Sequence, residues 1–416
     1  MNFRRKLLPG LILALALMPG LTRADDNTVQ GATSQNHHDM AGHQMGVTGE
    51  VPNEQAGQMD PAGPFYFLAS QNGVYQAQLV LQPDGSLLLV WVQRDAEELD
   101  LFVARQQADG LFGSPVRINH RAVNGFTGDE ARPSVAVGPD GAVAIAWTAA
   151  HHNDIMLAVS TDFGETFDAP LKLNTDEGAA FRTMPAAAIA PNGSVHTVWL
   201  DPRKAPEGME EPSDLYYASL DDGVLEETNL TANQESTVCG CCRPFIAIDD
   251  NSHFDILFRN MSEDGYRDIS HISGTSKSLS EPEPTSPPIW KLNACPSAGP
   301  IASHGGTLWK DASTGEWRML WSTDADAPPA ELFTGLDDLE LTWSPRTVGG
   351  HEDWVLVGAR PTSLIATREN GDWRVVRDDL PPWATSAVVH SGRLILIGNK
   401  KGQLYTVTEP YHASAP

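Results

Sequence analysis

The sequence predicts an all-β chain folded as a six-bladed β-propeller, and three observations predict it. One hairpin is written three times: YQAQLVLQPDGSLLLVW at 75–91, ARPSVAVGPDGAVAIAW at 131–147 and TMPAAAIAPNGSVHTVW at 183–199. Each copy runs through a tight Asp-Gly or Asn-Gly turn into a second strand that closes on Trp91, Trp147 or Trp199. Looser copies follow at 242–258, 295–309 and 359–376. Pro133, Pro185, Pro244, Pro296 and Pro361 are spaced by 52, 59, 52 and 65 residues, about one four-stranded blade each. Finally, 36 Gly and 30 Pro are scattered along the chain, which breaks it too often for long helices. The three tryptophans sit at equivalent strand ends and are expected to pack between blades rather than to bind sugar.

The elements before the propeller are of another kind. In residues 1–24, Arg4, Arg5 and Lys6 precede an apolar run, and Thr22 and Ala24 give cleavage-like spacing, so export with cleavage after Ala24 is expected. Pro9 and Pro19 break the run, which argues against a retained transmembrane span. The 416-residue chain carries 28 Lys and Arg against 54 Asp and Glu, a charge of −26, and loss of the four cations before residue 25 makes it −30. Such acidity excludes a generic nucleic-acid binder, so no nucleic-acid partner is expected. The expected location is the periplasm or outside the cell. Residues 25–63 have almost no large aliphatics and read as a disordered arm. Within it NHHDMAGHQM places His37, His38, Met40, His43 and Met45 together, imidazole and thioether donors that suit copper. Residues 64–416 form the propeller.

Inside the second blade, IMLAVSTDFGETF places Ser160, Asp162, Gly164, Thr166 and Phe167 on the pattern S-x-D-x-G-x-T-[FW]. This resembles the Asp box of the sialidase-like (BNR) propeller superfamily. The resemblance implies a turn between a blade's third and fourth strands, on the face away from the active site. In a propeller of this topology the start of each blade's first strand and the loop between strands two and three share one mouth. That mouth receives Arg94, Asp95, Arg132, His151, His152, Arg182, Met184, Asp201, Arg203, Arg243, Arg259, Met261, Glu263, Tyr266, Arg267, Asp268, Arg360 and all four cysteines, Cys239, Cys241, Cys242 and Cys295.

Four cysteines in an exported chain suggest two disulfides first. Any pairing then needs one bridge inside CGCC, and ordinary disulfide geometry favours Cys239 with Cys242, leaving Cys241 to reach Cys295. A thiolate cluster is the other solution: a bend at Gly240 brings three sulfurs together with Cys295, and two or three thiolates with a Met or His neighbour make a soft-metal constellation suited to copper(I), or to zinc if four ligands converge. Neighbouring guanidiniums would favour the thiolates.

The segments STVCGCCRPFIAID, GYRDISHIS and WKLNACPSAGP resemble the C-x-C-C-R, R-D and A-C-P elements of exported bacterial proteins labelled exo-alpha-sialidase. That resemblance implies one shared site built from Cys239, Cys241, Cys242, Arg243, Arg267, Asp268 and Cys295, and supplies no reaction. A bland reading makes Arg267 and Asp268 an ion pair fixing a loop. The main expectation is therefore a non-hydrolytic protein that handles a soft metal, copper first, with an envelope protein as a further partner.

A sialidase-like hydrolase is the alternative. Its chemistry needs arginines clasping a carboxylate, a tyrosine activated by an acid, and an acid/base group. Arg132, Arg182 and Arg243 would form the clasp, Tyr266 with Glu263 the nucleophile, and Asp95 or Asp201 the acid. The family's Arg-Ile-Pro motif is absent, the nearest segments being FRTMP and ARP. A thiol–disulfide role and a protein-interaction platform are further alternatives.

Overall fold

A computed structural model of the protein describes residues 73–95, 98–124, 128–150, 153–205, 212–294, 296–333, 340–342 and 344–411. Among the described residues the regular elements are strands, apart from one 3-10 turn at Asp129–Ala131. Among the described residues no helix is long and apolar enough to cross a membrane.

Among the described residues the strands form eight antiparallel sheets; seven are the blades of a propeller, one more than the sequence spacing predicts, and the eighth is a two-stranded pair. Blade one is Val74–Leu81, Leu87–Asp95, Glu98–Arg105 and Val116–Arg117; blade two is Ser134–Val137, Val143–Thr148, Ile155–Ser160 and Leu171–Lys172. Blade three is Thr183–Ile189, Val195–Asp201, Asp214–Asp221 and Val224–Asn229. Blade four has Phe245–Ile248, Phe254–Met261 and Ile269–Thr275, with Thr237–Val238 added along the end of its second strand and short outer strands at Ser278–Leu279 and Glu283–Pro284. Blade five is Ile301–Ser303, Gly306–Asp311, Arg318–Ser322 and Ala330–Leu332; blade six is Arg346–Val348, His351–Val357, Ser363–Glu369 and Asp372–Leu380. Blade seven is Ser386–His390, Arg393–Lys400 and Gln403–Pro410.

The miscount has a local cause. Pro361 does not open a blade; it lies between the second and third strands of blade six, next to Ala359–Arg360, which pair with Glu340–Leu341. Blade six opens at Arg346 and turns at Gly349–Gly350, while blade seven turns at Ser391–Gly392. Neither hairpin carries the Asp-Gly or Asn-Gly signature that marks the first three.

Position within a blade explains the hydrophobic pattern. Second strands lie between two neighbours in their own sheet and between two adjoining sheets, so LLLVWV of blade one is buried without alternation. The outer strand VLEETN of blade three alternates instead, half of it facing solvent. The hairpin turns use glycine because the backbone turns left-handed there: Gly85, Gly141 and Gly193 have φ of 82°, 80° and 87°.

Cohesion between blades comes from apolar seams. Trp91 belongs to the seam of blades seven and one, Trp147 to that of one and two, and Trp199 to that of two and three. Each is at most 2% exposed, in keeping with the packing role expected of them. The ring closes where Val388, Ile395 and Ile397 meet Val74, Leu79 and Leu89, and the Leu79 N–H donates to Ser386 Oγ at 3.1 Å. Among the described residues the apolar cluster at the seam of blades four and five is the smallest: Leu257, Ile269, Trp309 and Leu320, with Phe245, Ile289 and Ala302 packed against it. The Asp-box segment folds between the third and fourth strands of blade two. There Asp162 accepts from the Thr166 N–H (2.9 Å) and hydroxyl (2.5 Å), and Ser160 Oγ accepts from the Gly164 N–H (2.9 Å).

Candidate sulfur centre

The seam between blades four and five is where Cys239, Cys241 and Cys242 lie. Thr237–Val238 pairs with Asn260–Met261, and the Cys239 N–H donates to the Arg259 carbonyl at 2.9 Å, which holds the chain beside blade four's second strand. The chain then reverses through Gly240, with the Cys242 N–H reaching the Cys239 carbonyl at 3.4 Å. This single turn gathers the sulfurs: Cys239 to Cys241 is 3.5 Å, Cys239 to Cys242 is 3.6 Å, and Cys241 to Cys242 is 3.9 Å. Cys239 and Cys242 are 0% exposed and Cys241 is 5% exposed. The sulfur ligand atoms all lie within 4.8 Å of one another.

Their oxidation states differ. Cys241 is disulfide-bonded. Cys239 and Cys242 carry reduced thiols, so the Cys239–Cys242 bridge that the spacing favours is not formed. Cys295 lies outside the described residues, as do His37, His38, Met40, His43 and Met45 of the arm, and His151 and His152.

Two arginines serve the cluster. Arg267 enters after the Ser262–Gly265 turn, anchors its Nε on the Leu292 carbonyl at 2.9 Å, and donates from Nη1 to Cys239 Sγ at 3.0 Å. Arg259, fully buried, donates to the carbonyls of Ala298, Arg267 and Lys310 and lies 5.0 Å above the Trp290 ring. Those acceptors are neutral carbonyls, so its positive charge is left to act on the sulfur nearby. Burial pushes the Cys242 thiol up. The hydrogen bond from Cys239, the charge of Arg259 and the Ala298 N–H (3.4 Å) outweigh that and hold it at about 7.

Asp268 anchors backbone. Its carboxylate accepts the N–H groups of Ile289 and Trp290 at 3.1 and 3.3 Å, which fixes the segment leading to residues 290–299, while burial raises its pKa. That segment approaches blade four closely: a Cβ on Gly299 would sit 2.3 Å from the Arg243 carbonyl oxygen.

Arg243 lies in the neighbouring central channel, where its guanidinium donates to the carbonyls of Glu130 (3.1 Å), Arg132 (2.6 Å) and Pro185 (2.6 Å). It thereby ties blades two, three and four, and burial lowers its pKa to about 10. The channel is a cavity of about 850 Å³ lined by the first strands of all seven blades, with Arg132, Arg346, Glu130 and Ser344 among its polar groups. Glu130 accepts the Ser344 N–H at 2.8 Å; burial pushes its carboxyl up, but Arg346 and Arg132 hold it below the usual range.

The structure separates the residues of the hydrolase set. Arg132 and Arg243 line the channel, whereas Arg182 is fully buried in blade three, donating to Asp201 at 3.1 Å and to Asp176. Asp201 also takes Arg203 and the Trp199 indole N–H. Glu263 lines a second cavity of about 440 Å³ beside Arg267 and Lys291. Tyr266 lies 5.6 Å below the Lys291 ammonium, and Asp95 ends the second strand of blade one. Clasp, nucleophile and acid are therefore distributed over different places. Glu130, Arg346 and the buried Lys310, which burial lowers to about 8, escape the sequence reading. Arg346 follows Pro345, the reverse of the Arg-Pro order in blades two and four.

No protein-family model and no curated protein matches the chain. Solved structures do. Puromycin hydrolase is similar at 13% identity with a TM-score of 0.53, covering 85% of this chain and 54% of that one. The chain thus spans about half the length of that enzyme. An ulvan lyase of polysaccharide lyase family 25 is similar at 11% identity and a TM-score of 0.48, covering 83% of this chain and 95% of that one. A Penicillium chrysogenum α-L-arabinanase complexed with arabinobiose gives 13% identity and a TM-score of 0.40, covering 81% and 93%. These are enzymes by name, and at such identities what the chain shares with puromycin hydrolase is the fold alone.

Proposed function

We propose that the protein acts outside the cytoplasm as a propeller that handles a soft metal ion, copper(I) by the chemistry of its donors, at the sulfur cluster of blade four. One observation carries this reading: three sulfurs, two of them thiols and the third that of disulfide-bonded Cys241, form a nearly equilateral triangle with edges of 3.5, 3.6 and 3.9 Å. A point equidistant from them lies about 2.1 Å from each, close to the ~2.3 Å of a metal–thiolate bond as seen with zinc. Thiolates select soft d¹⁰ ions over hard ones. Arg267 and Arg259 supply the positive charge that buried thiolates need. The bound ion would provide a Lewis-acidic centre for storage or transfer; the chain's part is to gather the donors and keep water out. The His/Met arm and the leader-like start of the chain suit capture of the ion in the cell envelope.

The test is metal analysis of mature protein from the periplasm, set against the Cys239→Ser/Cys242→Ser double variant. Copper bound to wild type and lost in the variant supports the reading; equal copper in both would move the site elsewhere.

A second reading, a hydrolase working in the central channel, rests on the cavity itself. Its volume suits a small molecule, and it holds Arg132, Arg346 and an ionised Glu130. Hydrolysis by paired carboxylates requires two such groups. Glu130 is the one carboxylate among the described lining residues, which include no tyrosine. Turnover of a fluorogenic sialoside that disappears in Glu130→Gln would put this reading first.

A further inference from the structure

We infer that the cavity of about 440 Å³ beside the cysteine turn is the loading port of the sulfur site, and that the Met261 thioether takes copper(I) from its carrier before the buried thiols do. This deepens the metal reading and rests on it.

Strand register places Met261 on the sulfur face. Thr237 pairs with Met261 and Val238 with Asn260, and the Cys239 N–H donates to the Arg259 carbonyl at 2.9 Å, so the same register runs on through Cys239. Side chains alternate along a strand, so Thr237, Cys239, Arg259 and Met261 share one face. The packing agrees. Val238 and Phe258, on the other face, belong to the apolar cluster of blades three and four, whereas Thr237 and Met261 line the cavity. Met261 is thus the diagonal neighbour of Cys239. Diagonal neighbours on one face of an antiparallel pair are about 7–8 Å apart, within reach of a long side chain.

The cavity also touches a partner of the sulfur itself. Arg267 lines it and donates from Nη1 to Cys239 Sγ at 3.0 Å. Cys239 and Cys242 are 0% exposed, so an ion needs an approach to them, and this wall supplies one.

Donor chemistry and charge suit monovalent copper. A thioether is soft and uncharged, which selects copper(I) without the grip of a thiolate and leaves the ion free to move on. Among the described lining residues Glu235, Glu263 and Asp264 stand against Arg267 and Lys291, an excess of one negative charge that favours a cation. The transfer is ligand exchange, and copper stays monovalent throughout. The carrier's donor leaves the ion as Met261 binds it; Cys239 then replaces Met261, and the thiol proton passes to water.

In the experiment the mature full-length protein is mixed under argon with a chromophoric copper(I) chelate in a stopped-flow spectrometer, and the same chelate measures affinity at equilibrium. The Cys239→Ser/Cys242→Ser variant supplies the background from other sites, including the arm. Met261→Leu keeps the side-chain volume and removes the sulfur. The port predicts that Met261→Leu loads the cluster tenfold or more slowly than wild type, with affinity at the end state held within about twofold. Iodoacetamide alkylation of Cys239 and Cys242 reports access alone and should run at the wild-type rate. Unchanged loading in Met261→Leu overturns the port and leaves the metal reading standing. Loading and alkylation slowed alike overturn the ligand role, because shape rather than sulfur would then set the rate. A large fall in affinity overturns the hand-over and makes Met261 a resident ligand. Wild-type binding no better than that of the double variant overturns the port and the metal reading together.

Discussion

Arg267 Nη1 lies 3.0 Å from the sulfur of Cys239 while its Nε holds the Leu292 carbonyl, so one side chain joins the cysteine turn of blade four to the segment that leads into blade five. Among the described residues, the seam it crosses has the smallest cluster of buried apolar side chains in the ring. Cysteines and arginines occupy ground that other seams fill with aliphatic side chains.

The first prediction concerns that contact. A hydrogen bond from a cation to an ionised acceptor is worth about 1.5–3 kcal/mol. Arg267→Met is therefore expected to weaken copper(I) binding by the reduced protein tenfold or more, and Arg267→Lys to recover part of it. A chelator-competition titration of the three proteins measures this. Unchanged affinity in Arg267→Met would make the contact purely structural.

A second prediction concerns acid. His196 is buried between Ser194 Oγ and Tyr217 Oη, 2.7 Å from each, with Phe254 edge-on at 4.7 Å, and burial lowers its pKa to about 4. The unfolded chain takes up this proton below about pH 6.5, whereas the folded chain resists it until about 4. Stability contributed by the neutral ring is thus complete above 6.5 and is lost as the pH falls towards 4, by roughly 3 kcal/mol. Urea midpoints between pH 7 and 4 should show that slope, and His196→Phe should flatten it.

The buried ion cluster of blade three yields a third. Arg182 and Asp201 are both fully buried, 3.1 Å apart. Removing one partner of such a pair costs about 3–5 kcal/mol where the other charge is left uncompensated; Arg203 still pairs with Asp201, so the lower end of that range applies. Arg182→Met should therefore lower the denaturation midpoint strongly while leaving copper(I) stoichiometry at the cluster intact. Loss of a substrate-dependent activity at unchanged stability would return Arg182 to a binding role.

Gly299 supports a fourth. A methyl there would press on the Arg243 carbonyl, so Gly299→Ala must push the 296–299 segment away from blade four. Overpacking of this kind costs about 1–3 kcal/mol. Because the Ala298 N–H donates to Cys242, the variant should also change the alkylation rate of that thiol in the folded protein. An unaltered rate and midpoint would show that the segment yields freely.

What was legible in the sequence depended on how local the signal is. The first three hairpins are marked by Asp-Gly or Asn-Gly and by a tryptophan, and all three appear as read, with Trp91, Trp147 and Trp199 in the seams. Blade six hides because its hairpin uses Gly349–Gly350, and an Arg-Pro pair at 360–361 imitates a blade start. The CGCC cluster is legible because four residues in one turn cannot separate far. The roles of the arginines are not: a guanidinium that clasps a ligand and one that binds three carbonyls, as Arg243 does, look identical in sequence. Glu130 gives no spacing signal, since it stands in the short 3-10 turn Asp129–Ala131 and gains its environment from Arg346 more than two hundred residues away.

The most direct test of the sulfur site is the copper K-edge X-ray absorption spectrum of reduced mature protein loaded with one equivalent of copper(I). A first shell of three sulfurs, reduced in number by Cys242→Ser, is the predicted result. A shell dominated by nitrogen and indifferent to that substitution would contradict it, and would move the metal from blade four to histidines elsewhere in the chain.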